Sequence, residues 1–133
     1  ARAAQRKAMI WTLSQVALGG AVGAVARFAT VSGVARLAGI DFPFGTMAVN
    51  ILGSFVMGAL WIWLDVQGLT RLAPLLMAGL LGGFTTFSAF SLDTLRLWES
   101  GAAWSAAGYA AGSVVLSIAA LVAGATLIRG MAA

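Results

Sequence analysis

Charged residues are confined to short stretches of this chain, and four long intervals contain none. No Asp, Glu, Lys or Arg occurs in residues 8–26, 42–64, 72–92 or 100–128. A membrane-spanning helix needs ~20 mostly apolar residues, so each interval is long enough for one span and too short for two. The overall composition, 61% hydrophobic and 9% charged, excludes a domain with an ordinary solvated surface. We therefore predict an all-α integral membrane protein with four transmembrane helices.

Two other interpretations of the apolar runs fit less well. Strands of a membrane barrel alternate apolar and polar residues in segments of ~10, and the long Ala, Leu, Val and Gly runs do not alternate. A basic patch, Arg2, Arg6 and Lys7, precedes the first run as in a signal peptide, but that run has the length of a span and three more follow. We expect it to form the first helix.

The predicted helices belong to a single domain, residues 1–133. Helix 1 is expected at about 9–30, helix 2 at about 44–64, helix 3 at about 71–98 with a break near 82–85, and helix 4 at about 102–128. The connector at 65–70 is short, so helices 2 and 3 are predicted to be antiparallel neighbours.

Residues 82–91 interrupt helix 3 with the sequence Gly-Gly-Phe-Thr-Thr-Phe-Ser-Ala-Phe-Ser. Paired glycines weaken a helix and free backbone carbonyls, and hydroxyls offer hydrogen bonds. A broken membrane helix is tolerated only where protein or water satisfies the freed backbone groups. We expect the break to lie inside the protein, and we predict that this stretch is the functional centre.

Helix 1 combines small residues with one arginine. Gly19 and Gly23 have a spacing of four, which permits close approach of another helix, and we interpret them as structural packing residues. Arg27 lies near the far end of the helix. Its guanidinium can extend to the lipid headgroups or reach inward to neutralise another group, and the sequence favours neither.

Uncharged polar residues form two rows in helices 2 and 4. Thr46 and Asn50 share one face of helix 2, and Tyr109, Ser113 and Ser117 follow at intervals of four in helix 4. A membrane asparagine often joins helices, and a membrane serine often bonds back to the i−4 carbonyl. Hydroxyls in register along an otherwise apolar helix equally predict a polar pathway.

The chain lacks the residues that most membrane enzymes and exchangers need. It has no Cys and no His, which excludes thiolate catalysis, His-based proton relay and the usual zinc and haem ligands. No Asp or Glu lies in the interior of a predicted span, and Asp93, near the end of helix 3, is the nearest. Proton-coupled exporters need a titratable group on the path, and cation exporters need a negative one. The sequence therefore favours a protein that is not an enzyme.

The net charge of +4 rests mainly on residues at span ends, where anionic membrane lipids are the expected counterions, and nothing supports nucleic-acid binding. With both termini on one side, that side holds Arg2, Arg6, Lys7, Arg71 and Arg129, and the other holds Arg27, Arg36 and Arg96. Without the first seven residues the count is two against three. Because this difference is so small, insertion in both orientations is compatible with the sequence.

Phe87 and Phe90 follow the helix break and share a helix face. A phenyl ring has a negative face and a positive edge, so two rings turned edge-on can stabilise a small anion weakly. Weak binding suits conduction, because an ion that binds too tightly does not leave. The two rings can equally be helix-packing residues.

Residues 82–91 resemble the signature of the small fluoride channels of the Fluc, or CrcB, family. The resemblance extends over almost the whole chain and includes Gly19, Gly20, Gly23, Ala24 and Arg27 in helix 1, Gly45, Thr46, Asn50 and residues 53–55 in helix 2, and the Tyr109 row in helix 4. Two positions depart from the family pattern. Ala89 stands where a hydroxyl residue is frequent, and Asp93 where Glu is common.

The resemblance implies an antiparallel, dual-topology homodimer in a bacterial plasma or inner membrane, with two fluoride pores lined by both subunits. It implies that Phe87 and Phe90 supply ring edges and that Asn50 donates a hydrogen bond along the path. The polar track implied beside them consists of Tyr109, Ser113 and Ser117, with Thr46 nearby.

The resemblance also implies a structural Na⁺ at the dimer centre, held by backbone carbonyls of Gly82 and Thr85 from both chains. A helix break exposes carbonyls, and hard cations prefer oxygen ligands. Arg27 is implied to be important, without an assigned role.

The expected function is passive fluoride export: fluoride enters as neutral HF from acidic surroundings, dissociates in the cytoplasm and leaves through this channel. The main alternative is a small multidrug exporter with four helices and dual topology, which needs a glutamate inside helix 1, and residues 8–26 contain none. A non-transporting membrane subunit is a third class. It explains the glycine-rich packing, but not the polar row or the broken helix.

Overall fold

The computed structural model describes residues 1–133 and consists of helices joined by short turns, without strands. We number its four long helical spans α1, Arg2–Ala38; α2, Phe44–Val66; α3, Thr70–Glu99; and α4, Ala103–Ala132. Each is long and apolar enough to cross a membrane. The prediction of an all-helical protein with four candidate spans is confirmed.

α1 extends beyond its apolar interval at both ends. It has 37 residues, or about 56 Å at ~1.5 Å per residue, whereas the hydrocarbon core of a bilayer is ~30 Å thick. The predicted span, 9–30, lies inside it. The helix ends at Gly39, which has a φ of 83° and donates its N–H to the Ala35 carbonyl. The charge-free interval thus indicates which part of α1 can cross the bilayer. The C-terminal end of the helix is set instead by a glycine.

α3 is composed of segments with different helical geometry. A 3₁₀ turn, Thr70–Leu72, is followed by a π-helix, Pro74–Leu81, and by the short α-helical segment Gly82–Phe84. The backbone becomes extended at Thr85, with φ −90° and ψ 160°, and the second half of α3 is Ser88–Glu99. The break therefore lies at residues 85–87, at the far end of the predicted position 82–85.

The glycines of α3 remain helical because they allow close packing against α1. A Cβ atom on Gly83 would lie 2.6 Å from the carbonyl oxygen of Gly20. A Cβ atom on Gly19 would lie 2.7 Å from the backbone nitrogen of Leu80, and one on Gly23 would collide with the carbonyl of the same leucine. Only residues without a side chain permit this backbone approach.

α2 and α4 are also in close contact, and they run in the same direction. A Cβ atom on Gly112 would lie 3.3 Å from Cε of Met47, and one on Gly58 would collide with the carbonyl of Leu121. Early residues of α2 thus meet early residues of α4, and late residues meet late ones. This orientation is expected for the second and fourth spans of an up-and-down bundle, and it decides which polar side chains stand at the same level.

Most apolar side chains of the chain lie on its outside. Only 16 of 133 residues are buried, and side chains as large as Trp104 are almost fully exposed. Such a surface is stable against lipid chains or against another protein rather than against water. The four apolar helices and this surface together indicate a multi-pass membrane protein.

Candidate functional site

An open groove of about 400 Å³ lies between α2, α4 and the break in α3. Its eleven lining residues are Asn50, Ser54, Gly82, Thr85, Thr86, Phe87, Phe90, Ser113, Val114, Ser117 and Ile118. Seven of these are residues that the sequence predicts for an anion path or a cation site: Asn50, Gly82, Thr85, Phe87, Phe90, Ser113 and Ser117. No charged side chain lines the groove.

Asn50 holds the break in α3 through both ends of its side-chain amide. Its Oδ1 accepts a hydrogen bond from the N–H of Thr86 at 2.8 Å, and its Nδ2 donates to the carbonyl of Thr86 at 2.9 Å. One side chain thereby satisfies both backbone groups of a residue that has lost its helical partners. Asn50 therefore joins two helices and lines the groove, and the second N–H of its amide is free for a ligand.

The hydroxyls of Thr85 and Thr86 are used by the backbone around the break. Thr86 Oγ1 accepts from the N–H of Ala89 at 3.1 Å, which satisfies a donor in the first turn of the second half of α3. Thr85 Oγ1 donates to the carbonyl of Leu81 at 2.9 Å. Both hydroxyls therefore stabilise the break, that of Thr85 as a donor and that of Thr86 as an acceptor.

Arg27 reaches inward from α1. Its Nε donates to the carbonyl of Gly83 at 3.0 Å, just before the break. This contact satisfies a carbonyl near the end of the first half of α3 and places a positive charge where the helix dipole is negative. Of the two orientations that the sequence leaves open, the structure shows the inward one.

Three aromatic rings form a row at the groove. The centroids of Phe87 and Phe90 are 5.5 Å apart with planes at 56°, and those of Phe90 and Tyr109 are 5.3 Å apart at 38°. Phe90 is therefore supported by a buried ring of its own chain, whereas Phe87 is 77% exposed. The exposed ring is available to a ligand or to a second chain.

Tyr109 and Thr46 lie beyond the groove, and both are buried. The hydroxyl of Tyr109 donates to Oδ2 of Asp93 at 3.2 Å. Thr46 faces a second cavity of about 240 Å³ that is shared with α1. The structure thus does not bring these two predicted path residues into the groove, and Tyr109 is linked to it through the ring of Phe90.

The two serines of α4 that line the groove lack the bond that usually occupies a membrane serine. Seven hydroxyls elsewhere donate to the carbonyl four residues earlier: those of Thr12, Ser14, Thr30, Thr85, Ser91, Thr94 and Thr126. Ser113 and Ser117 form no such bond. Ser113 Oγ is buried, with 4% of the residue exposed, and has no partner. An unpaired buried group costs ~1–3 kcal/mol, so a polar partner for this hydroxyl would be stabilising.

The backbone carbonyls of Gly82 and Thr85 are also without hydrogen bonds. The N–H of Thr86, which would reach the Gly82 carbonyl in a continuous helix, goes to Asn50 instead. The N–H of Ala89, which would reach the Thr85 carbonyl, goes to the hydroxyl of Thr86. Free carbonyl oxygens suit a hard cation, although a cation needs more than two ligands. The donors therefore fit half of a cation site.

Ser54 is a groove residue that the sequence interpretation leaves out. It follows Asn50 by four positions in α2, as Asn50 follows Thr46, and extending the same row by one turn would have found it. Its side chain is half-buried and lines the groove next to the free serines of α4.

The groove thus combines neutral polar side chains and two phenyl rings beside a broken helix. It carries no carboxylate for proton-coupled exchange. The fold and the groove define a multi-pass membrane protein with an uncharged polar groove.

Comparison with known proteins then gives the family. Residues 14–125 match the family model described as CrcB-like protein, Camphor Resistance (CrcB). The chain belongs to this family, and the resemblance predicted from residues 82–91 is confirmed.

Three relatives show how far the similarity extends. A protein of Cereibacter sphaeroides is 57% identical over 122 residues, covering 92% of this chain and 98% of the relative. One of Paracoccus denitrificans is 54% identical over 123 residues, covering 90% and 96%, and one of Mesorhizobium japonicum is 47% identical over 123 residues, covering 92% and 99%. Each relative is named "Fluoride-specific ion channel FluC". These are names of transporters and not of enzymes.

Proposed function

We propose that this protein is a passive, fluoride-selective ion channel. The observation that carries the proposal is the buried, unpaired hydroxyl of Ser113 in a groove that contains Phe87, Phe90 and Asn50 and no charged side chain. A buried donor needs a partner, and a small anion is the partner that suits donors and ring edges. The printed names of the relatives support fluoride as this anion.

In this proposal the anion exchanges water for neutral donors along the groove. The free N–H of Asn50 and the hydroxyls of Ser113 and Ser117 donate to it, and the edges of Phe87 and Phe90 complete its surroundings. None of these groups carries a full charge, so each contact is weak enough for the anion to move to the next. A carboxylate at the same place would repel the anion instead.

Tyr109 and Thr46 act from behind this path. Tyr109 packs against Phe90 with a centroid distance of 5.3 Å, and its hydroxyl is tied to Asp93. It can therefore hold the orientation of the ring whose edge meets the anion. Thr46 belongs to the same row of α2 as Asn50 and contributes to the polar environment on the far side of the break.

The functional unit in this proposal is an antiparallel homodimer of dual topology, with two pores. The groove is open, Phe87 is largely exposed, and Gly82 and Thr85 belong to the groove lining. A second copy related by a two-fold axis in the membrane plane would cover these features on both chains at once. Outside the first seven residues the basic residues divide two against three between the two sides, which supports insertion in both orientations.

Gly82 and Thr85 are the residues that would hold a structural Na⁺ at the centre of this dimer. Each chain would contribute two backbone carbonyls, and their lack of hydrogen bonds supports the assignment. A cation bound there would supply positive charge that offsets the freed carbonyl dipoles. Its role is structural, and fluoride movement does not pass through it.

The proposed location is the plasma or inner membrane of a bacterium, where the channel lets cytoplasmic fluoride leave down its gradient. Purified protein reconstituted into liposomes loaded with fluoride tests this directly. A fluoride electrode should record efflux well above that from protein-free vesicles when a potassium ionophore cancels the membrane potential. Equal rates with and without protein would contradict the proposal.

The same vesicles distinguish a channel from a multidrug-type exporter. A channel needs no proton gradient, so efflux should proceed at equal pH on both sides of the membrane. Efflux that occurs only with an imposed proton gradient would indicate an exchanger and would require a titratable group that the groove does not contain.

A further inference from the structure

We propose that Ser54 is a further anion-binding residue of the groove and donates its hydroxyl hydrogen from α2, near the level of Ser117. The inference rests on the proposed function and extends the set of donors beyond the row in α4. It follows from the alignment of α2 with α4, from the face of α2 that Ser54 occupies, and from the hydrogen bonds that its neighbours do and do not form.

The contact between α2 and α4 places their polar residues in level pairs. Gly58 meets Leu121, which lies 63 positions later in the chain. Met47 meets Gly112, which lies 65 positions later. Because the helices are parallel, these two contacts place Asn50 near the level of residues 113–115 and Ser54 near the level of residues 117–119. Both residues of α2 line one groove with Ser113 and Ser117, so the groove has two successive levels with a donor on each helix.

The preceding residue bears on the face of α2 that Ser54 occupies. A Cβ atom on Gly53 would collide with Cγ2 of Thr85, so Gly53 is the position of α2 that packs against the break in α3. Successive residues in an α-helix are rotated by ~100°. Ser54 therefore lies on a different face of α2 from Gly53, and it lines the same groove as Ser117.

Hydrogen bonding separates Ser54 from the other hydroxyls around the break. Thr85 donates its hydroxyl hydrogen to the Leu81 carbonyl, whereas Thr86 Oγ1 accepts from the Ala89 N–H and lies 3.4 Å from Ser88 Oγ. Ser54 makes no hydrogen bond in the protein, although it has a carbonyl four residues earlier within its own helix. One level away, the buried hydroxyl of Ser113 is also unpaired. Free donors at adjacent levels of one groove indicate a ligand that accepts hydrogen bonds and passes between the levels.

The first test compares Ser54→Ala with Ser14→Ala and uses fluoride efflux from liposomes. Loss of one hydrogen bond to the anion should lower the Ser54→Ala rate by about three- to tenfold, and Ser54→Thr, which keeps a hydroxyl, should recover most of it. Ser14 is exposed and its hydroxyl donates to the carbonyl of Ile10 at 2.8 Å, so its variant should match the wild type. A wild-type rate in Ser54→Ala would overturn the inference while leaving the proposed function intact.

Two further results would also overturn it. Failure of Ser54→Thr to recover the rate would assign Ser54 to packing. A rate loss that is reversed by raising the Na⁺ concentration would make Ser54 part of the cation site. If the wild-type protein itself shows no fluoride efflux, the proposed function fails first, so the two failures are distinguishable.

A second test does not depend on the alanine variant. The chain has no native cysteine, so Ser54→Cys and Ser14→Cys each introduce one thiol of nearly unchanged volume. A charged methanethiosulfonate reagent should stop fluoride efflux through Ser54→Cys and leave Ser14→Cys conducting. Efflux that persists after mass spectrometry shows complete labelling of Ser54→Cys would place this side chain outside the path.

Discussion

The contact between α1 and α3 and the contact between α2 and α4 use similar small residues for different purposes. Between α1 and α3, glycines bring two backbones together and the one long polar side chain, Arg27, is bonded to Gly83. Between α2 and α4, glycines also set the approach, but the hydroxyls of Ser54, Ser113 and Ser117 have no partners. The contact between α1 and α3 is a packing contact with its polar side chain paired. The contact between α2 and α4 leaves hydroxyl groups unpaired. The two contacts therefore differ in hydrogen-bond satisfaction rather than in residue type.

The largest expected effect comes from a substitution in the contact between α1 and α3. In Gly23→Ala the new Cβ atom would collide with the Leu80 carbonyl, and because a backbone cannot yield as a side chain does, we expect a loss of ~1–3 kcal/mol or failure to assemble. Thermal unfolding in detergent, followed by tryptophan fluorescence, measures this. The matched control is Gly33→Ala in the same helix, where a Cβ meets nothing within 4 Å and helix propensity favours alanine by ~1 kcal/mol. Equal melting temperatures for the two variants would contradict the packing argument.

The next effect concerns the rings of the open groove. We expect Phe87→Ala and Phe90→Ala each to lower fluoride efflux by about two- to tenfold, since the loss of an aromatic contact costs ~0.5–1.5 kcal/mol. Dimer assembly, measured by size-exclusion chromatography, should be retained. Phe28→Ala provides the control, because Phe28 is 76% exposed but lies outside the groove. Wild-type efflux in both groove variants would contradict a role in the anion path and would indicate that these rings serve helix packing.

Asn50 belongs to both kinds of contact, so its replacement should affect stability and conduction together. In Asn50→Asp the carboxylate can still accept from the Thr86 N–H but cannot donate to the Thr86 carbonyl. We expect a loss of ~1–3 kcal/mol of stability and a strong decrease in fluoride efflux, because the new charge repels the anion. Melting temperature and efflux are measured on the same preparation. Wild-type fluoride efflux through Asn50→Asp would show that Asn50 does not contact the anion.

The smallest and slowest effect is expected from the proposed cation. Replacing external Na⁺ by N-methylglucamine should lower fluoride efflux over hours rather than at once, because an ion between two chains is hard to reach. Immediate and complete loss would indicate an exposed site or a coupled ion. Crystals can also be soaked with heavier monovalent cations. The absence of density between Gly82 and Thr85 would contradict the proposed cation site.

Much of the architecture follows from the linear pattern. Four charge-free intervals predict four helical spans, since a charge inside a bilayer is costly. The ends of α1 could not be derived in this way, because residues such as Arg2 and Lys7 continue the helix outside the apolar core. The break in α3 was displaced for a related reason: helical Gly82 and Gly83 remain compatible with close packing, and the capture of Thr86 by Asn50 decides where the helix opens.

The sequence by itself determined the membrane class, the number of spans, the family and most residues of the groove, because these depend on composition, on spacing along a helix and on a specific motif. Only the tertiary structure decided that Arg27 reaches inward, that Tyr109 and Thr46 lie behind the groove, and that Ser54 belongs to it. A helical period places a side chain on one face of its own helix but does not determine which helix meets that face. Whether a hydroxyl is paired depends on that neighbour, as the buried and unpaired hydroxyl of Ser113 shows.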